Sequence, residues 1–135
     1  MKIDGACHCG HITYEAEIDP EKIVICHCTD CQTLSGTAFR TVAHSREGSF
    51  KLLSGQLKEY IKTGGSGAGR PQGFCPECGT PIYGTSVDDG PKAHSLRVGT
   101  IRQRDALVPT TQVWTRSRQP WVPEELTADI RKNEA

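Results

Sequence analysis

Cysteine is the residue type that promises chemistry in this sequence, and its spacing divides seven thiols into two groups. Cys26, Cys28 and Cys31 fall within the run Cys26-His27-Cys28-Thr29-Asp30-Cys31, close enough for all of them to reach one ion. Cys7 and Cys9 form a C-x-C pair and Cys75 and Cys78 a C-x-x-C pair, which together make a set of four. Clustered cysteine selects zinc, an ion that takes four ligands in a tetrahedron. A structural site draws all four from protein, whereas a catalytic site leaves one position for water or substrate. The spacing therefore predicts two zinc ions per chain, one closed by Cys7, Cys9, Cys75 and Cys78, and one catalytic and open at Cys26, Cys28 and Cys31.

Three thiolates around a dication leave a net negative charge, so such a centre is a weak Lewis acid and a poor source of hydroxide. It is better suited to a small thiol, which it would hold ionised and still nucleophilic for attack on the carbonyl carbon of an aldehyde. The predicted reaction class is formation or cleavage of a carbon-sulfur bond, that of a carbon-sulfur lyase. The competing arrangement is a site closed by a histidine, for which His8, His11, His27, His44 and His94 are available. His8 and His27 each lie between two ligand cysteines, and in extended chain such residues face away from their neighbours. Two further classes are a zinc-stabilised protein-binding module without catalysis, which an open second site argues against, and a nucleic-acid-binding zinc protein.

Strands and short turns must position these thiols. The run His11 to Ile18 alternates apolar and polar residues and predicts a half-buried strand, ended by Asp19-Pro20. Gly5 and Gly10 bracket the C-x-C and place it on a strand end or tight turn. Ile23-Val24-Ile25 delivers the chain to the three-cysteine run. There Thr29-x-x-Gln32 reads as a capping box and Gly36 as a stop, so a helix of about one turn should carry Cys31. Residues 37–44, 49–53 and 57–62 predict strands of a meander. The glycine-rich stretch Gly64 to Gly69 matches no phosphate-binding spacing and reads as a hairpin loop, or alternatively as a lid carrying Arg70. Cys75-Pro76-Glu77-Cys78-Gly79 is a zinc knuckle. Residues 81–84 and 95–99 predict further strands, and Pro123-Glu124-Glu125-Leu126 a short terminal helix.

Composition limits the remaining possibilities. Residues 1–135 have the length of a single domain. Leu, Ile, Val and Phe number only 26 of 135, so metal binding is expected to supply part of the folding energy and the metal-free chain to be weakly folded. An odd number of cysteines argues against a secreted disulfide framework. Residues 1–10 are polar, and no apolar run of about 18 residues is present to span a bilayer. A cytoplasmic protein without membrane attachment is the expectation. The formal net charge is zero, and seven thiolates on two zinc ions make the metallated chain mildly acidic, which argues against nucleic-acid binding.

The motifs Gly5-Ala6-Cys7-His8-Cys9-Gly10, Cys26-His27-Cys28-Thr29-Asp30-Cys31 with Ser35-Gly36, Phe74-Cys75-Pro76-Glu77-Cys78-Gly79-Thr80, and Trp114 with Ser117-Arg118-Gln119-Pro120-Trp121, taken in this order, resemble the glutathione-dependent formaldehyde-activating enzyme family, also called the centromere protein V domain family. The resemblance implies an all-β, tent-like zinc fold with short helical turns. It places Cys7, Cys9, Cys75 and Cys78 on the structural zinc and Cys26, Cys28 and Cys31 on the catalytic one, with glutathione and formaldehyde as substrates. Arg70, Arg97, Arg116 and Arg118 are candidates to receive the glutathione carboxylates. Gln112 departs from the histidine expected before Val113-Trp114.

Overall fold

In the computed structural model, which describes residues 1–133, alternating burial and pairing produce ten strands: β1 (Lys2–Ala6), β2 (Thr13–Cys26), β3 (Arg40–Ser45), β4 (Lys51–Ser54), β5 (Lys58–Thr63), β6 (Gly69–Phe74), β7 (Pro81–Gly84), β8 (Ser95–Arg97), β9 (Thr111–Val113) and β10 (Asp129–Ile130). One short α-helix, α1 (Thr29–Ser35), and three single-turn 3-10 segments are the helical elements among the described residues. The protein is mostly β, as the sequence predicts. Among the described residues no helix is long and apolar enough to cross a membrane.

β2 is the axis of the sheet. Its first half pairs with β1 and β4, and its second half pairs antiparallel with β3 and parallel with β9. The strand order continues β10-β9-β2-β3-β8-β7-β6-β5. The predicted stop at Asp19-Pro20 does not occur: the register shifts between Ile18 and Ile23, and β2 resumes beyond an irregularity whose residues 20–22 are exposed. A proline that cannot donate to the ladder is tolerated at such a bulge because the extra residues there need no partner.

The predicted meander also differs in its connections. β3, β4 and β5 are not mutual neighbours; β3 pairs with β2 and β8, β4 with β2, and β5 with β6. The true meander is β5 to β8, and its strand β6 was not apparent from Gly-Arg-Pro-Gln-Gly-Phe, a segment poor in β-formers. Gly64 to Ala68 closes the β5–β6 hairpin through a bond from the Gly64 N–H to the Ala68 carbonyl (2.7 Å). No helix forms at Pro123 to Leu126. The Glu124 carbonyl accepts from Gln112 Nε2 (2.8 Å) and its carboxylate receives Arg118 (3.0 Å), so the backbone there is committed to tertiary partners.

Tyr14, Ala16 and Ile18 on one side of the bulge, and Ile23 beyond it, join Ala43, Ile82, Leu96 and Ile101 in the core. Cys7 and Cys75 belong to the same buried cluster. The opposite face of the central strands carries different chemistry. Cys26 lies opposite Arg40 in the register of β2 with β3, Val42 lies opposite Arg97, and Gly84 lies opposite both Ser95 and Gln72. Since side chains alternate along each strand, one pairing scheme sends the isoleucines inward and Cys26, Arg40 and Arg97 to a common cavity.

Candidate functional site

The sulfurs of Cys7, Cys9, Cys75 and Cys78 all lie within 4.8 Å of one another, and so do those of Cys26, Cys28 and Cys31. The division into four and three read from spacing is the division the fold makes. Each group can hold a metal ion. A tetrahedron of sulfurs at a zinc-thiolate distance of about 2.3 Å has edges of ~3.8 Å. Cys7 and Cys9 are 3.6 Å apart and Cys9 and Cys75 3.8 Å, so two edges of the four-cysteine group already have that length, with every sulfur within 4.8 Å of the others.

Its local scaffold is made of two turns. Ile12 N–H donates to Cys7 Sγ (3.2 Å), and the Glu77 and Cys78 N–H groups point at Cys75 Sγ (3.4 and 3.5 Å). Gly79 takes φ 82°, the left-handed conformation that turns the knuckle back, and its N–H closes on the Cys75 carbonyl (2.8 Å). The Thr80 hydroxyl lies 3.1 Å from Cys78 Sγ and, with its N–H, holds that thiol down at about 5. Such donors favour thiolate, the form a metal binds. Cys7 and Cys75 are buried in the core while Cys9 and Cys78 reach the surface, so the group fastens the β1 end to the β6–β7 turn.

The second group is built differently. Cys26 ends β2, Cys28 caps α1 and Cys31 sits in its first turn. The helix cap is the Cys28 sulfur itself, which accepts from Cys31 N–H (3.3 Å). Gly36 ends the helix at φ 71°, as predicted. The expected capping box does not form. Gln32 Nε2 instead donates to the carbonyls of His27 (2.8 Å) and Ser117 (2.9 Å), while Gln119 donates to Gln32 Oε1 (2.9 Å). The helix is thereby tied to the segment that follows Trp114.

These three thiols are half-buried and cannot ionise independently. Contacts with Cys28 and Cys31 push Cys26 far up; Cys31 is drawn down to about 2 by Cys26 and Cys28, with help from the Arg40 guanidinium. A bound dication removes this conflict by letting all three be thiolates. Among the described residues no histidine, aspartate or glutamate joins the group as a fourth ligand. His27, the nearest candidate by sequence, is fully buried and turned away, with Nε2 2.7 Å from Gln112 Oε1. Gln112 thus occupies a structural position beneath the site, linking His27 to the Glu124 carbonyl.

Two cavities meet at Cys28. A deep one of about 230 Å³ is lined by Cys26, Cys28 and Cys31 together with Arg40, Gln72 and Arg97. An outer one of about 550 Å³ is bounded by Asp30, Gly64, Gly65, Ser66 and Arg116. Cys28, Lys62, Arg70 and Trp114 line both, so the two form one continuous cleft. The glycine-rich hairpin is therefore one wall of the site. Trp114 holds φ 56°, the one non-glycine residue among those described with positive φ, and Arg116 lies over its ring (5.9 Å). Backbone strain of this kind persists where the surroundings fix it, and it concentrates at functional sites.

Of the four arginines singled out from sequence, Arg70, Arg97 and Arg116 line the cleft. Arg118 does not: it donates to the carbonyls of Val122 and Gln119 and pairs with Glu124, and is structural. Arg40 and Gln72 were missed. The spacing of Arg40 from Val42 and His44 is compatible with one strand face, but only the register against Cys26 brings it to the thiols.

A family model described as glutathione-dependent formaldehyde-activating enzyme matches residues 2–117. A search of curated proteins gives no match. Among solved structures, the crystal structure of a Rhodobacter sphaeroides protein is similar over 95% of this chain and 98% of its own, with 18% sequence identity and a TM-score of 0.59, a likeness of fold.

Proposed function

The chain belongs to the glutathione-dependent formaldehyde-activating enzyme family, and from that premise we propose that it acts as a single-domain, zinc-dependent carbon-sulfur lyase, joining a small thiol to an aldehyde or releasing it. Glutathione is the default thiol in this reading and formaldehyde the default aldehyde, both taken from the family. The observation that carries it is the three-cysteine group itself, which lines a cleft and has no fourth histidine, cysteine or carboxylate ligand among the described residues.

Cys26, Cys28 and Cys31 are proposed to hold the catalytic zinc, and Cys7, Cys9, Cys75 and Cys78 the structural one. When bound by three thiolates, zinc supplies a soft open position that favours the ionised form of an incoming thiol. The chain's own residues provide the rest. Gln32 fixes α1, and with it Cys28 and Cys31, against the Ser117 to Gln119 segment. Trp114 and the Gly64 to Ser66 wall confine the reactants, which lowers the entropic cost of bringing sulfur and carbonyl carbon together. In the forward direction the sulfur-carbon bond forms, the carbonyl π pair moves to oxygen, and the proton given up by the thiol ends on that oxygen. The product is an S-hydroxyalkyl thiol. The cytoplasm, where small thiols are kept reduced, suits this chemistry.

The test is exchange spectroscopy with carbon-13 formaldehyde and glutathione. Zinc-loaded protein at catalytic concentration should accelerate interconversion of free aldehyde and adduct by at least about a hundredfold over buffer, a barrier reduction of about 2.7 kcal/mol. Exchange at the buffer rate would leave the family's activity without support in this chain.

A further inference from the structure

The deep cavity beside the three cysteines is more cationic than the thiols require. Arg40 and Arg97 line it with only 6% and 9% of their surfaces exposed, and Nε of each is buried without a hydrogen-bond partner. Neither forms an ion pair with a carboxylate among the described residues. Arg97 donates only to neutral acceptors, Gln72 Oε1 (2.8 Å) and the Ser95 carbonyl (3.2 Å). Arg70 adds a third guanidinium, whereas Lys62, at the same rim, is neutralised by Asp30 (2.8 Å). Gly84 makes room for this arrangement, since a Cβ there would stand 3.0 Å from the Arg97 guanidinium and 3.2 Å from Gln72 Nε2.

Like charges buried side by side are costly unless an opposite charge joins them. Burial, and then repulsion from Arg40, bring Arg97 down to about 9. A zinc held by three thiolates offers one net negative charge against three arginines, and an ionised thiol substrate offers one more. One positive charge remains unmatched. The cavity, at about 230 Å³, is below the usual size of a site for a whole drug-sized ligand and fits a compact group. Guanidinium forks match carboxylates in shape and charge.

We propose that Arg40 and Arg97 form a carboxylate subsite next to the three-cysteine centre, with Gln72, whose amide donates to the Arg70 and Pro71 carbonyls, holding Arg97 in place, so that one of the two reactants carries a carboxylate near its reacting atom. The inference rests on the thiol-aldehyde reading for its account of the reaction, but the subsite itself is defined by the arginines. The carboxylate belongs either to the thiol or to the aldehyde, and paired ligands separate these sources.

Calorimetric titration of zinc-loaded protein would compare 3-mercaptopropionate with 3-mercaptopropanol, glyoxylate with glycolaldehyde, and propionate alone. Wild-type protein should bind the carboxylate member of one pair at least about tenfold more tightly than its neutral analogue, as expected for a charge-assisted contact. Arg40→Gln and Arg97→Gln should each reduce that ratio to below about threefold, with zinc content as the control for folding. Preference within the thiol pair assigns the carboxylate to the thiol, and preference within the aldehyde pair assigns it to the aldehyde. Arg40-dependent binding of propionate without binding of any thiol would sustain the subsite and remove the thiol chemistry. If neither pair is discriminated by the wild-type protein and propionate does not bind, the subsite does not exist.

Discussion

Cys75→Ser is expected to abolish cooperative folding and to remove one zinc equivalent. Cys75 is fully buried in the core cluster beside Cys7, and the turn around it is knitted by bonds from Cys75 N–H to the Thr80 carbonyl (3.0 Å) and from the Glu77 and Cys78 N–H groups to its sulfur. A hydroxyl is a poorer ligand for zinc than a thiolate, and the binding energy of a structural zinc is folding energy. The loss should exceed about 4 kcal/mol, a large share of the 5 to 15 kcal/mol typical of a domain. Urea denaturation together with metal analysis provides the check. An unchanged midpoint with two zinc ions retained would remove the structural role assigned to the four-cysteine group.

Cys28→Ser should do nearly the reverse. The Cys28 side chain caps α1 by accepting from Cys31 N–H, and serine is among the preferred residues at that position. The helix cap therefore survives the substitution, at a cost within about 1 kcal/mol, while the soft ligand is lost. Turnover of the thiol-aldehyde adduct should fall by at least about a thousandfold, equivalent to ~4 kcal/mol of barrier, with the melting temperature shifted by only a few degrees. A variant that retains turnover within tenfold of the parent would show that Cys28 is not part of the reacting centre.

The two thiol groups were legible in the sequence because metal ligation is largely a local matter. C-x-C, C-x-C-x-x-C and C-x-x-C each fix their sulfurs within one turn or strand end, and the odd total leaves one group of three. The half-buried strands were legible for a similar reason, in that Tyr14, Ala16 and Ile18 alternate with exposed or half-exposed residues over a short span. What the sequence did not disclose was pairing. Arg40 reaches the thiols only because β3 lies antiparallel to β2 with Arg40 opposite Cys26, and Gln72 only because β7 brings Gly84 opposite it. Periodicity gives the face of a residue but not its neighbour across the sheet. Pro20 and Pro123 misled in opposite directions. The first lies in a bulge that the strand survives, and the second precedes residues held by Gln112 and Arg118 rather than by helical bonds. Gln32, read as half of a capping box, instead uses its side chain to join α1 to the Trp114 segment.

The central claim is that the three-cysteine centre keeps one coordination position for a thiol substrate. Its most direct test is to replace zinc by cobalt and titrate the protein with glutathione while recording the sulfur-to-metal charge-transfer bands. The account predicts a saturable change confined to one of the two metal sites, lost in Cys28→Ser and growing with pH as the thiol ionises. A spectrum unmoved by glutathione or by any other small thiol, with a histidine or another residue already in the fourth position, would contradict it.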